Sequence, residues 1–129
     1  MTRITALDRS NCPVAVSLNL FGDKWTLLIV RDLFIGKRRY SEFLESPEAV
    51  PTNILADRLK RLLAEGVIEK TAYSDKPKRY EYALTEKGRA LGPVLQEFVK
   101  WANAHYPKTY RLGARDGKNA TKLKAIKRR

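Results

Sequence analysis

Apolar side chains recur at helical spacing through most of this chain, and the interruptions fall at glycine, proline and short polar clusters. Residues 1–11 are polar and irregular. From Asn11-Cys12-Pro13 an apolar run passes through Val14, Val16, Leu18 and Leu20 to Gly22. Proline suits the first helical position, where its missing N–H would have no partner anyway, so Cys12 is the expected N-cap. A second helix is expected from Asp23, with Trp25, Leu28, Ile29, Leu33 and Phe34 on one face and Gly36 placed to end it in a left-handed conformation. Tyr40-Ser41-Glu42-Phe43-Leu44 reads as a short helix stopped by Ser46-Pro47. After a turn through Val50-Pro51, the run from Thr52 places Leu55, Leu59 and Leu62 at i, i+4 and i+7, with Thr52 as its cap and Gly66 as its stop.

That stripe has a consequence for the opposite side. At about 100° per residue it leaves Asn53, Asp57, Lys60 and Arg61 facing away from the core, with Arg58 at the margin. Beyond Gly66 the pattern changes. Val67 to Tyr73 and Arg79 to Leu84 are β-prone runs around Ser74-Asp75-Lys76-Pro77-Lys78, which predicts a hairpin. Thr85 then caps a last long helix carrying Leu91, Val94, Leu95, Phe98, Trp101, Ala102 and His105 at helical spacing, with Gly92-Pro93 placed to kink or divide it. Helix, helix, turn, helix and hairpin, in that order, predict a mainly α fold with a β-hairpin wing: a winged helix-turn-helix domain over residues 12–107. Residues 1–11 form an N-terminal arm and residues 108–129 a tail.

Charge sharpens this picture. The chain carries 26 Lys and Arg against 14 Asp and Glu, a formal charge of +12. Residues 108–129 hold nine Lys or Arg and one acid, a net +8, so residues 1–107 carry +4. The tail has too few large apolar groups to offset chain entropy and reads as disordered. A basic surface points to a polyanion, because binding one releases its condensed counterions. One cysteine and one histidine, Cys12 and His105, supply neither an intrachain disulfide nor a structural metal site. No run reaches the roughly 20 apolar residues that span a bilayer, and no signal-peptide core opens the chain, so a cytoplasmic protein is expected. A Gly-rich phosphate loop and a Ser/His/Asp arrangement are also missing from the sequence, which argues against an enzyme or a bound cofactor.

The residues also resemble a known family. Cys12-Pro13-Val14, Gly22-Asp23-Lys24-Trp25-Thr26 and Gly36-Lys37-Arg38-Arg39-Tyr40-Ser41-Glu42-Phe43 are similar to the opening of the HxlR-type winged helix-turn-helix regulators of bacteria. Leu55 to Leu62 ahead of Gly66, Arg79-Tyr80-Glu81-Tyr82, Leu84-Thr85-Glu86-Lys87-Gly88 and the stretch from Pro93 to Trp101 continue the resemblance in order, over about residues 12 to 103. Two departures stand out. Val50-Pro51-Thr52 replaces the Gly-Ile-Ser common in the family, and Tyr40 stands where phenylalanine is more usual. The resemblance implies homodimers joined through the N- and C-terminal helices, which bind double-stranded DNA at near-palindromic operators and repress or activate transcription. It also implies, for some members, a cysteine at the place of Cys12 that senses oxidants or electrophiles.

Candidate contacts follow from the arrangement. Taken alone, the helix from Thr52 would read as an ordinary solvated amphipathic helix; beside a turn and a hairpin it is the one that enters the major groove. Thr52 and Asn53 are the candidates for base edges, since amides pair in bidentate fashion with adenine, while Arg58, Lys60 and Arg61 are candidates for phosphates. Asp57 is expected to pair with Arg61 at i, i+4. Lys76, Lys78 and Arg79 sit at the hairpin tip, where a wing meets the DNA backbone or minor groove, although turn charges also serve solubility. Arg38, Arg39, Tyr40 and Ser41 open the short helix, whose N–H groups face outward toward a phosphate in this reading. For Cys12 two readings stand: a thiolate stabilised by the helix dipole, or a small buried residue at a dimer contact, which the lack of a nearby basic partner favours. His105 shares the stripe of Trp101 and reads as packing. The sequence leaves any small-molecule effector unidentified. An architectural or RNA-binding protein that uses its charge without operator choice is the competing class.

Overall fold

The computed structural model describes residues 10–110. Residues 1–9 of the arm and 111–129 of the tail, including the segment that composition reads as disordered, lie outside the described residues.

Helix α1 (Pro13–Phe21) begins where proline places it, with Cys12 in extended conformation at the N-cap. Helix α2 (Thr26–Phe34) starts three residues later than the sequence suggests. Trp25 holds the N-cap position, but Asp23 still serves the helix start: its carboxylate accepts from the backbone N–H of Trp25 at 2.9 Å and of Thr26 at 3.1 Å, and from the Thr26 hydroxyl. These are donors that a helix start leaves without an intrahelical partner. Gly36 ends α2 at φ 109°, with its N–H on Leu33 O and that of Lys37 on Asp32 O. This paired closure needs the left-handed conformation that glycine adopts without steric cost.

Helix α3 (Tyr40–Phe43) and helix α4 (Thr52–Ala64) form the helix-turn-helix pair. Leu55, Leu59 and Leu62 are buried, as their spacing requires, against Val30, Leu33 and Phe34 of α2 and Phe43 of α3 in a single core cluster. Burying a leucine contributes roughly 2 kcal/mol, so this stripe holds α4 in place more than helix propensity does. The turn between α3 and α4 is tied to α2 by a polar cluster. Arg31 bridges Asp32 and Glu48 at 2.8 Å each, the Ser46 hydroxyl donates to buried Asp32, and Lys37 donates to Ser46 at 3.0 Å. Within that turn Ala49 takes a left-handed φ of 59°, which costs an L residue about 1 kcal/mol.

Strands β1 (Ile68–Asp75) and β2 (Lys78–Leu84) pair antiparallel, with Ile68 opposite Leu84 and Asp75 opposite Lys78. The hairpin is longer than the sequence suggests, since Ser74, Asp75 and Lys78 belong to its strands and only Lys76-Pro77, joined by a cis bond, remain between them. A register shift between Ala72 and Ser74 leaves Tyr73 bulged. The outer edge of β2 is also engaged: Tyr82 N–H donates to Arg38 O at 2.7 Å, and Arg39 bridges Glu81 as an isolated antiparallel pair.

The expected long C-terminal helix is divided at Gly92-Pro93 into α5 (Glu86–Arg89) and α6 (Gly92–His105). Thr85 caps α5, accepting from Gly88 N–H at 3.1 Å. The described chain passes the expected boundary at residue 107 and turns back along α6, where the Asn103 amide donates to Thr109 Oγ1 and Tyr110 O. No single helix among the described residues is long and apolar enough to cross a membrane.

Candidate nucleic-acid interface

The polar side of α4 splits into two flanks with different roles. Thr52, Asn53, Asp57 and Lys60 are exposed. Thr52 is not the cap, however; Pro51 holds that position and Thr52 is the first helical residue. Arg58 and Arg61 turn inward. Arg58 Nε donates to Asp23 at 2.9 Å, its Nη1 pairs with Asp57, and its side chain is 17% exposed. Arg61 Nη2 donates to Asn19 O in the last turn of α1 at 3.3 Å, and Arg61 Nε is buried with no hydrogen-bond partner. The geometry therefore corrects three expectations. Asp57 pairs with Arg58 rather than Arg61, and neither arginine presents its guanidinium outward as a phosphate contact would.

Asp23 lies at the centre of this flank. Partial burial raises its pKa, but the hydrogen bonds from Thr26, Arg58 and Trp25 and the Arg58 charge outweigh it and hold the carboxyl at about 2. It stays charged at neutral pH.

Tyr40 joins the short helix α3 to the start of α4. Its hydroxyl, which a phenylalanine would lack, donates to Thr52 O at 2.8 Å. Ser41 beside it is exposed. Arg39 donates from Nε to Glu81 at 3.1 Å, and its guanidinium lies 3.9 Å from the ring centre of bulged Tyr73. Arg38 is 3.9 Å from the same Glu81 carboxylate. The backbone N–H groups of Arg38 and Arg39 both donate to Glu42 Oε1, at 2.7 and 2.9 Å, so they are already satisfied and do not face a phosphate as expected.

Between α3 and the hairpin runs a cleft of about 310 Å³ lined by Arg39, Tyr40, Ser41, Tyr73, Lys78, Arg79, Tyr80 and Tyr82. It brings together two groups of candidates that lie some forty positions apart in sequence. Sequence reasoning missed Tyr73, Tyr80 and Tyr82 as parts of this surface; alternation along the strands was the available signal, and the bulge at Tyr73 interrupts it. Lys76 is exposed at the tip, and Lys78 pairs loosely with Asp75 at 3.6 Å.

A second surface lies on the outer helices. No residue of α1 is buried, and Val14 and Leu18 are exposed. On α6, Val94, Phe98 and Trp101 form an exposed stripe, with Trp101 against His105 at 5.1 Å and Tyr106 at 5.7 Å. Cys12 is exposed in the isolated chain, and hydrogen bonds from the N–H groups of Ala15 and Val14 lower its thiol pKa against a small opposing effect of burial.

The model of the HxlR-like helix-turn-helix family matches residues 20–110. The chain belongs to this family. Among the chain's relatives, the HTH-type transcriptional regulator Rv3095 of Mycobacterium tuberculosis is 36% identical over 95 residues, or 74% of this chain. The chain spans about 60% of that relative's length. The crystal structure of PA1607, a candidate transcription factor, is 39% identical and has a TM-score of 0.73, covering 88% of this chain and 81% of its own. The reduced form of the transcriptional regulator YodB from Bacillus subtilis is 34% identical with a TM-score of 0.62, covering 77% of this chain and 98% of its own; YodB is also known after treatment with diamide. Rv3095 and YodB are transcriptional regulators, and PA1607 is a candidate transcription factor.

Proposed function

We propose that this HxlR-like chain is a sequence-specific DNA-binding transcriptional regulator. It acts in the cytoplasm as a homodimer on a near-palindromic operator, as a repressor or an activator. One observation carries this reading: the N-terminal turn of α4, the start of α3 and the hairpin make one continuous surface, linked by Tyr40 to Thr52 and by the cleft from Arg39 to Arg79. In a winged helix-turn-helix the second helix of the pair enters the major groove while the wing meets the backbone or minor groove. Thr52 and Asn53 then address base edges, and Lys60, Lys76, Lys78, Arg79, Arg38, Arg39 and Ser41 serve the backbone. The exposed faces of α1 and α6 supply the dimer contact, which sets two α4 helices about 34–36 Å apart on successive major-groove faces.

A footprint on DNA flanking its own or a neighbouring gene tests this: paired half-sites are expected, and equal affinity for every duplex would refute it. A regulator should prefer its operator by about 10³ or more at physiological salt, whereas an architectural binder stays near unity. Within that interface, Asn53→Ala should relax preference at one base position. Lys78→Ala should instead weaken all sequences alike and lower the salt slope by about one. Identical behaviour of the two variants would contradict the division of labour.

Cys12 supports a second, regulatory layer. Its thiol is exposed at the N-terminus of a helix whose N–H groups favour the thiolate, and YodB has a defined reduced form. Diamide treatment is expected to lower operator affinity of the wild-type protein and leave Cys12→Ser unaffected. An unchanged wild-type affinity would remove this layer.

A further inference from the structure

We propose that Asp23, Arg58 and Arg61 form a clasp that fixes the rotation of α4 about its own axis, so that Arg58 is a positioning residue for sequence reading and not a phosphate contact. The inference rests on α4 being the reading helix.

The argument starts from what the leucine stripe does not provide. Apolar burial is non-directional, so Leu55, Leu59 and Leu62 hold α4 against the core without strictly fixing its rotation. A rotation of about 20° moves a side-chain tip at a helix radius of about 5–6 Å by about 2 Å, which takes a base-reading amide out of the 2.7–3.2 Å range of a hydrogen bond. Directional bonds are needed. Besides Tyr40 at its N-terminal end, α4 has two on one flank, and both are charged. Arg58 Nε meets Asp23 at 2.9 Å, and Arg61 Nη2 meets Asn19 O at 3.3 Å. A guanidinium is planar and its donors are fixed in a fork, so each bond restricts orientation as well as distance.

The Asp23 anchor is itself held by other bonds. The Asp23 carboxylate also receives two backbone N–H groups and the Thr26 hydroxyl at the start of α2, so it cannot swing to follow Arg58. Asn19 O belongs to the last turn of α1, where carbonyls lack helical partners and the dipole end is negative; α1 has no basic residue of its own there. Charge argues in the same direction. Arg58 faces two carboxylates, Asp23 and Asp57, so the group of three is net negative and repels a phosphate unless one pair breaks. Because Arg61 reaches α1, the clasp also ties the reading helix to one of the two helices assigned to the dimer.

The test uses a duplex that the full-length wild-type protein selects from a randomised pool, and a random duplex of equal length, each titrated at several salt concentrations. Arg58→Met, Arg58→Lys and Asp23→Asn should each lose about tenfold or more in affinity for the selected duplex. Affinity for the random duplex and the salt slope should stay unchanged, and the double variant Asp23→Asn with Arg58→Met should be no worse than either single. The Asp23→Asn result has a decisive sign. Removing a negative charge near DNA tightens binding to all duplexes if only electrostatics matter, whereas loss of the clasp weakens selected binding alone.

An Arg58→Met variant that loses affinity for both duplexes, with a slope lower by about one, would show a phosphate contact and overturn the proposal. So would an Arg58→Lys variant that behaves as wild type. Should Asp23→Asn melt below the assay temperature, the two Arg58 variants decide the question. Wild-type protein that selects no sequence would defeat the reading of α4 itself and the clasp with it; selective wild type with equally selective variants would defeat the clasp alone.

Discussion

Replacing Phe98 and Trp101 together with glutamate is expected to leave the protein monomeric and to reduce its operator affinity by about 10²–10³-fold. The two side chains are 55% and 59% exposed, so their loss removes little of the chain's own core. Helix α6 remains seated through Leu95, which is buried, and through Leu91 and Val99, which pack against the core. What the variant lacks is the apolar stripe that, with Val14 and Leu18 of α1, has no other cover among the described residues. Contiguous exposed apolar surface of this kind marks an association site, and a pair of glutamates facing their symmetry mates would repel as well as fail to pack. The loss in affinity follows from linkage. In a dimer the second half-site is met at the high effective concentration set by the first, and that advantage can reach 10²–10⁴. Sedimentation should show a single monomer-sized species with an unchanged far-UV spectrum, while affinity for a random duplex falls far less than affinity for the operator. A variant that remains dimeric at micromolar concentration would mean that the dimer uses another face.

The parts of this fold that were legible in the sequence are those governed by local rules. Gly36 and Gly66 announced the ends of α2 and α4 because a left-handed terminus strongly favours glycine, and the Leu55, Leu59, Leu62 stripe announced a buried face because periodicity and burial are the same statement for a helix. The same arithmetic puts Asn53 on the outward side, while Thr52 is a candidate through its place at the start of the helix. What escaped was set by neighbours distant in sequence. A helical angle tells which way Arg58 and Arg61 point from the axis of α4, not that Asp23 and the end of α1 lie there to receive them. The pairing of Arg38 and Arg39 with β2 rests on one bridge and one N–H, too short to leave any alternation. Glu42 was read as part of a helix, yet its carboxylate turns back to the N–H groups of Arg38 and Arg39 and fills the place assigned to a phosphate. In each case the side chain's type was consistent with both roles, and only the tertiary partner decided between them.

Two glycines separate these two kinds of information, and they should respond to the same substitution very differently. Gly66 has φ 73°, and a Cβ added there meets nothing within 4 Å. Gly66→Ala should therefore cost only the left-handed backbone, about 1 kcal/mol. Gly88 lies buried in α5, and a Cβ there would sit 2.2 Å from Val67 O and 2.9 Å from Leu84 Cδ2. The Val67 carbonyl is not free to move, since it accepts Thr85 N–H at 3.0 Å where the chain leaves β2 for α5. Gly88→Ala must therefore either break that bond or push α5 off the end of β1. Overpacking of this sort costs about 2–3 kcal/mol, which in a domain of this size lowers Tm by roughly 10–20 °C. Thermal unfolding of the two variants side by side checks the difference. If Gly88→Ala melted within about 3 °C of wild type, or if Gly66→Ala were the more damaging of the two, the close approach of α5 to Val67 would be wrong, and with it the seating of α6 that follows.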